Sequence, residues 1–193
     1  FLDIFEKVKK KQETLICLSL SSKLSGTYQS ACLAKDMVDY ENIFIIDTLT
    51  AAAGIRLLCE VAINWIGENR SVESIVSGLE ELKERVHIYA GLDTLEYLAK
   101  GGRISKTAAA IGTLASIKPI ICVNHGEVVV AGKTRGVNKA TSVVCEKMQS
   151  DIVDTLYPVY TLYSYGLENV EKLESKLDLD VNRVRIGSTI GVH

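Results

Sequence analysis

The stretch SLSSKLSGTYQSACLAK, residues 19 to 35, places Ser21, Ser22, Ser25, Gly26 and Thr27 between the apolar run TLICLSL and a segment with helical spacing. A loop that leaves the carboxyl end of a parallel strand and enters a helix gathers backbone N–H groups that have no intrahelical acceptor, and the helix dipole adds to their field. Such a corner suits an anion. Gly26 lets a ligand come close to the backbone, while Ser22, Ser25 and Thr27 add hydroxyl donors without adding charge. Nothing in the stretch supplies a general base, so it is better fitted to holding an anion than to cleaving a bond. Serines that only cap a helix and turn the chain would account for the same residues.

Two well-known motifs fail on spacing. The phosphate-cradling GxxxxGK[ST] loop needs a lysine after its second glycine, and Gly26 is followed by Thr27 and Tyr28. The hydrolase elbow GxSxG is also absent, because Lys23 stands at its first glycine position. Neither nucleotide hydrolysis nor serine esterase chemistry is favoured.

Other positions could serve an anion. In DTLEYLAKGGRIS, two glycines free the backbone ahead of Arg103, whose fork matches a carboxylate or phosphate; an ordinary helix C-cap reads the same way. GKTRG carries Lys133 and Arg135 in a glycine-flanked turn, which is equally a solvated turn. His193 follows GSTIGV at a strand end and either donates to an anion or is an exposed terminus. His87 and His125 have no acidic or cysteine partners at ligand spacing, so no metal site is expected.

The elements that must position these residues alternate. An amphipathic helix (FLDIFEKVKKK) precedes the buried strand TLICLSL, the helix TYQSACLAKDMV with Tyr28, Cys32 and Val38 as inward positions, the strand ENIFIIDT and the long helix TAAAGIRLLCEVAINWIGEN. Ser71 is the expected N-cap of the helix over SVESIVSGLEELKERV. Strand, helix, strand, helix with short connections implies parallel strands and right-handed crossovers, so the first half is α/β. The pattern changes near Val86, which divides the chain into residues 1–86 and 87–193. The second block reads as a strand (VHIYAGLD), a short helix around TLEYLAK and an alanine-rich helix AAAIGTLA. IKPIICVNHGEVVVAGKTRG follows as two strands turning through His125, Gly126 and Glu127. A helix, a strand, a charged helix and a last strand complete it.

The chain has 193 residues, 47% of them hydrophobic and 6% aromatic, enough for one or two packed cores. A net charge of −2 gives no field that would gather nucleic acid or hold an anionic membrane, so anion binding must be local and membrane contact at most transient. Cys17, Cys32, Cys59, Cys122 and Cys145 are odd in number with no CxxC pair, which reads as reduced, mostly buried thiols of a cytoplasmic protein. The ends, Phe1 inside a helical pattern and His193 just after a strand-like one, are expected to be cut.

Taken together, SSKLSGTYQSA, the IIDT strand end followed by a small-residue helix start with Gly54, DTLEYLAKGGRIS, IKPII, GEVVVAGKTRG and the terminal IGVH resemble the DegV family of bacterial fatty-acid-binding proteins, in order from Leu15 to His193. The resemblance implies a two-domain α/β fold: a parallel-sheet N-terminal domain and an α/β C-terminal domain with an apolar ligand tunnel between them. It implies a carrier with no cofactor and no bond cleavage of its own, which holds a long-chain fatty acid and presents its carboxylate to a separate fatty-acid kinase for acyl-phosphate formation. Carried over by motif, Ser25 and the amides of Gly26 hold the carboxylate, with Ser22 and Thr27 in support. Arg103 and His193 close a polar network at the head group, and Arg135 faces the phosphate or the kinase. The family also has an upstream strand with an Asp-Ser segment, a Thr-Ser-x-Pro-Ser loop and a Gly-Pro-Gly continuation, none of which is in this sequence. Read without the resemblance, the same loop would serve an enzyme or regulator binding a small phosphorylated or carboxylated metabolite.

Overall fold

The computed structural model describes residues 1–105, 116–151, 153–164 and 166–186; AAAIGTLA and the terminal GSTIGVH lie outside the described residues. The fold is α/β. Two compact units make up the chain, Phe1–His87 with Val123–Glu127, and Ile88–Cys122 with Val128–His193.

In the first unit, helix α1 (Leu2–Lys11) buries Phe5 and Val8 and ends on Gln12 in the left-handed region, with Lys9, Lys10 and Lys11 at the negative end of its dipole. Strands β1 (Leu15–Ser19) and β2 (Ile43–Asp47) pair in parallel, Leu15 opposite Ile43 and Ser19 opposite Asp47. Between them runs helix α2 (Thr27–Val38). Its inward face is Ala31, Ala34 and Val38, packed with Phe5, Val8 and Ile43. The expected inward positions Tyr28 and Cys32 are only half-buried, because α2 comes up against α1 and the sheet on its small residues, while Leu33 and Met37 face outward. Alternation along the strands turns Ile46 away from that core. Helices α3 (Ala53–Gly67) and α4 (Val72–Leu82) follow, burying Leu58, Val61, Ile75, Leu79 and Leu82. Ser71 caps α4 as its position implies, its Oγ accepting from the Ser74 amide at 3.2 Å.

The second unit holds strand β3 (Ile88–Gly91), helix α5 (Glu96–Lys100), all but the adjoining ends of strands β4 (Ile117–Asn124) and β5 (Glu127–Arg135), and helix α6 (Val137–Ser150). The sheet order is β3-β4-β5. Successive residues of β4 point to opposite faces: Ile121 joins Leu95 and Ile104, whereas Ile120 joins Ala140 and Val144 of α6. The turn between β4 and β5 holds His125 and Gly126 at φ 45° and 84°, two consecutive positive values that match the tight hairpin geometry expected there. Strands β6 (Val159–Tyr163) and β7 (Val181–Arg185), joined through helix α7 (Glu168–Glu174), form a separate parallel pair.

Candidate functional site

At the carboxyl edge of the β1–β2 sheet the two strand-to-helix loops are stitched to each other. The Thr48 hydroxyl donates to Ser19 O at 2.7 Å, and the Ser21 amide donates to Thr50 O at 3.0 Å. Asp47, the last residue of β2, accepts on a single carboxylate oxygen from the amides of Ser22 (3.0 Å) and Leu49 (3.2 Å). Leu49 and Ala52 both hold positive φ, 50° and 46°, a cost that a loop carries only when its surroundings enforce it.

Ser21 is fully buried and belongs to the frame of the loop rather than to its surface. Its Oγ donates to Gly126 O at 2.7 Å and accepts from the Lys23 amide at 3.2 Å. A Cβ on Gly126 would fall 2.6 Å from that oxygen, so the close approach requires glycine, as does its φ.

From this frame the loop rises to the start of α2. Ser25 Oγ and Thr27 Oγ1 are 2.7 Å apart, and the Thr27 amide donates to Ser25 Oγ at 3.3 Å. Gly26 is the N-cap residue, exposed, with nothing within 4 Å of where a Cβ would stand. Its carbonyl takes the Ser30 amide at 2.9 Å. The amides of Gly26, Tyr28 and Gln29 have no acceptor among the described residues. Three donors thus stand at the positive end of a 12-residue helix, beside a pair of linked hydroxyls, with no charged side chain among them.

Of the expected site residues, Ser25, Gly26 and Thr27 thus come together, and Ser22 lies four residues before Gly26 in the same loop. The Ser22 amide is already committed to Asp47, which leaves its hydroxyl as what it can offer. Arg103 and Arg135 belong to the second unit and are both exposed. Arg103 sits in a Schellman turn at the end of α5: its amide donates to Leu98 O at 2.8 Å and that of Gly102 to Ala99 O at 3.0 Å, while its guanidinium folds back onto Gly101 O. Arg135 ends β5 next to Gly136, the N-cap residue of α6. His193 lies outside the described residues.

Asp47, the last residue of β2, is a participant to which the sequence reading assigns no role. Its position at the last residue of a parallel strand, level with the start of the serine loop, was the available signal. Ser21–Gly126 has no local signal, since the partners are 105 residues apart. Chemistry of other kinds finds little here. His125 is 81% exposed with Glu84 3.7 Å from its Nδ1, a pair worth little in water. Among the described residues no group of three His, Cys, Asp or Glu could hold a metal ion, and no helix is long and apolar enough to cross a membrane.

The sequence pattern described as "uncharacterised protein, DegV family" matches residues 1–193. A DegV domain-containing protein of Clostridium acetobutylicum is 35% identical over 196 residues, covering 100% of this chain and 70% of the relative; one of Lactococcus lactis is 34% identical over 204 residues, with the same coverage. Among solved structures, the stearic acid-binding protein of Eubacterium ventriosum superimposes with a TM-score of 0.82 at 27% identity, covering 94% of this chain and 66% of that one. The fatty-acid-binding DegV family protein of Thermus thermophilus gives 0.80 at 29%, covering 96% and 69%. The chain therefore spans about two thirds to 70% of the length of these proteins.

Proposed function

The chain belongs to the DegV family, and from that premise we propose that it is a cytoplasmic carrier which binds a long-chain fatty acid in an apolar tunnel and presents the carboxylate to a separate fatty-acid kinase. The observation that carries this reading is the cluster of unaccepted amides at Gly26, Tyr28 and Gln29 beside the Ser25–Thr27 hydroxyl pair. Ser25 and the Gly26 amide hold the carboxylate, Ser22 and Thr27 support it, and His193 and Arg103 complete the network around the head group. Arg135 faces the incoming phosphate or the kinase. Relatives that bind stearic acid and other fatty acids support the choice of ligand.

The energetics agree. Burying the methylenes of a chain of about sixteen carbons, at about 0.8 kcal/mol each, supplies on the order of 10 kcal/mol before association costs. The tail therefore sets affinity and the head sets orientation. A carboxylate drawn from water must recover its hydration through convergent donors, and amides with hydroxyls provide this while leaving one oxygen free to attack a phosphoryl donor. The protein binds and orients; the bond is made by the kinase.

Native mass spectrometry of the chain purified from a bacterial host, followed by extraction of the ligand, tests the reading. The expected result is a retained fatty acid in one-to-one ratio. A retained sugar phosphate or nucleotide would favour a metabolite-binding enzyme or regulator instead, and failure to take up added palmitate would overturn the proposal.

A further inference from the structure

We propose that Asp47 is the positioning residue of the head-group loop: it makes no contact with the ligand but fixes the loop in the shape that leaves the Gly26, Tyr28 and Gln29 amides free to converge. This rests on the reading of that loop as the holder of a fatty-acid carboxylate.

The geometry contains a pair of donor sets. The first, the amides of Ser22 and Leu49, is occupied by the protein's own carboxylate at 3.0 and 3.2 Å. The second, at the start of α2, is left without an internal acceptor among the described residues. Ser22 lies four residues before Gly26, and the turn between them is closed by Leu24 and Ser25 amides donating to Ser21 O at 3.0 and 3.1 Å. Because Ser22 and Leu49 sit on different loops, one oxygen joined to both fixes the separation of the loops. It also offsets the cost of the positive φ at Leu49. One acceptor oxygen with two lone pairs is enough to take both amides, so the clamp depends on where that oxygen is held. Without it the Ser22 amide becomes a free donor competing for the same anion, and the α2 donors lose their fixed starting point. A displacement of about 1 Å is enough to spoil the convergence of such a receptor.

The clamp acts through the position of an acceptor oxygen, so asparagine should replace aspartate and alanine should not. Titration calorimetry of the parent chain, Asp47→Asn and Asp47→Ala with palmitate and with hexadecanol separates head-group positioning from general damage. Asp47→Ala should weaken palmitate by about tenfold or more and leave hexadecanol within about twofold, while Asp47→Asn stays within about threefold of the parent for palmitate. Carboxyl-labelled palmitate followed by carbon NMR should give the same bound resonance in parent and Asp47→Asn and a displaced or broadened one in Asp47→Ala. If Asp47→Ala does not fold, Asp47→Ser, whose oxygen is too short to reach both amides, takes its place with the same expectations.

Equal losses for palmitate and hexadecanol would make Asp47 merely structural, and unchanged palmitate binding in the alanine variant would remove it from the site. An asparagine variant as impaired as alanine would show that charge, not acceptor placement, matters. Each of these overturns the inference while parent binding stands. A parent chain that takes up no palmitate overturns the carrier reading, and the inference with it.

Discussion

Ser25 and Thr27 hold each other at 2.7 Å, a bond that spends one of their two O–H groups, so the pair has one proton left to donate to an anion; with Thr27 as the donor it is that of Ser25. On the proposed reading, replacing Ser25 by alanine removes one donor from the bound carboxylate and the partner of Thr27 with it. Palmitate binding measured by calorimetry should weaken by about 1 to 3 kcal/mol, the cost of an unmade bond to a charge. Unchanged affinity would take Ser25 out of the head-group site. Tyr89 makes a separate prediction. Burial, then the hydrogen bond its hydroxyl donates to Asp151 at 3.0 Å, raises its pKa from 10.0 to about 12. Both causes favour the neutral phenol, so the folded chain keeps a proton that the unfolded chain loses near pH 10. The resulting stability is fully present below that pH and falls away as pH rises from 10 to about 12. An ultraviolet tyrosinate titration should show a late step that Tyr89→Phe abolishes. At this scale the placement of residue types was legible: the hydroxyls and Gly26 do stand in the loop that opens α2. What a partner 105 residues away does to Ser21 could not be read, because no local pattern encodes that contact.

Elements were legible where identity and period agree, and less so where packing is close. The N-cap of α4 follows from Ser71 and its spacing. The inward face of α2 does not follow from hydrophobicity, because Ala31 and Ala34 win the interior by being small and Leu33 and Met37 are left outside. The start of α3 shows the same rule. A Cβ on Gly54 would overlap Thr50 Oγ1, and Thr50 is itself fully buried with an unpartnered hydroxyl. The helix therefore enters its place only because Gly54 has no side chain. Gly54→Ala should destabilise the chain by about 1 to 3 kcal/mol, the usual cost of overpacking. Adding Thr50→Ala should recover part of this, since it removes the overlapping oxygen and an unsatisfied polar group together. Denaturant melts of the four members of that cycle measure the coupling directly. Strictly additive losses would show that the two side chains do not meet.

For the whole molecule, alternation of strand and helix was enough to fix the α/β class, but a change of pattern marks only one place along the chain. The grouping of Val123–Glu127 with residues 1–87 involves two stretches distant in sequence, which no single cut can express. The five thiols, expected to be mostly buried, are not: Cys145 is buried, whereas Cys17, Cys32, Cys59 and Cys122 are half-buried, and the structure pairs none of the five. Exposure alone would suggest reactivity in four of them. Desolvation by burial is nevertheless the first cause raising the thiol pKa of Cys17, Cys59, Cys122 and Cys145, and a thiol must lose its proton to act as a nucleophile. At neutral pH the native chain should therefore react with an aromatic disulfide reagent about tenfold or more slowly at these four positions than the unfolded chain does. Unfolding without reductant should then release five titratable thiols, the number the structure leaves unpaired. Fewer than five would reveal a disulfide and place the protein in an oxidising compartment, against the reading of a cytoplasmic carrier. Fast labelling of the folded chain at Cys17 or Cys59 would mean that their burial is too shallow to hold the proton, and that the first unit opens readily around β1 and α3.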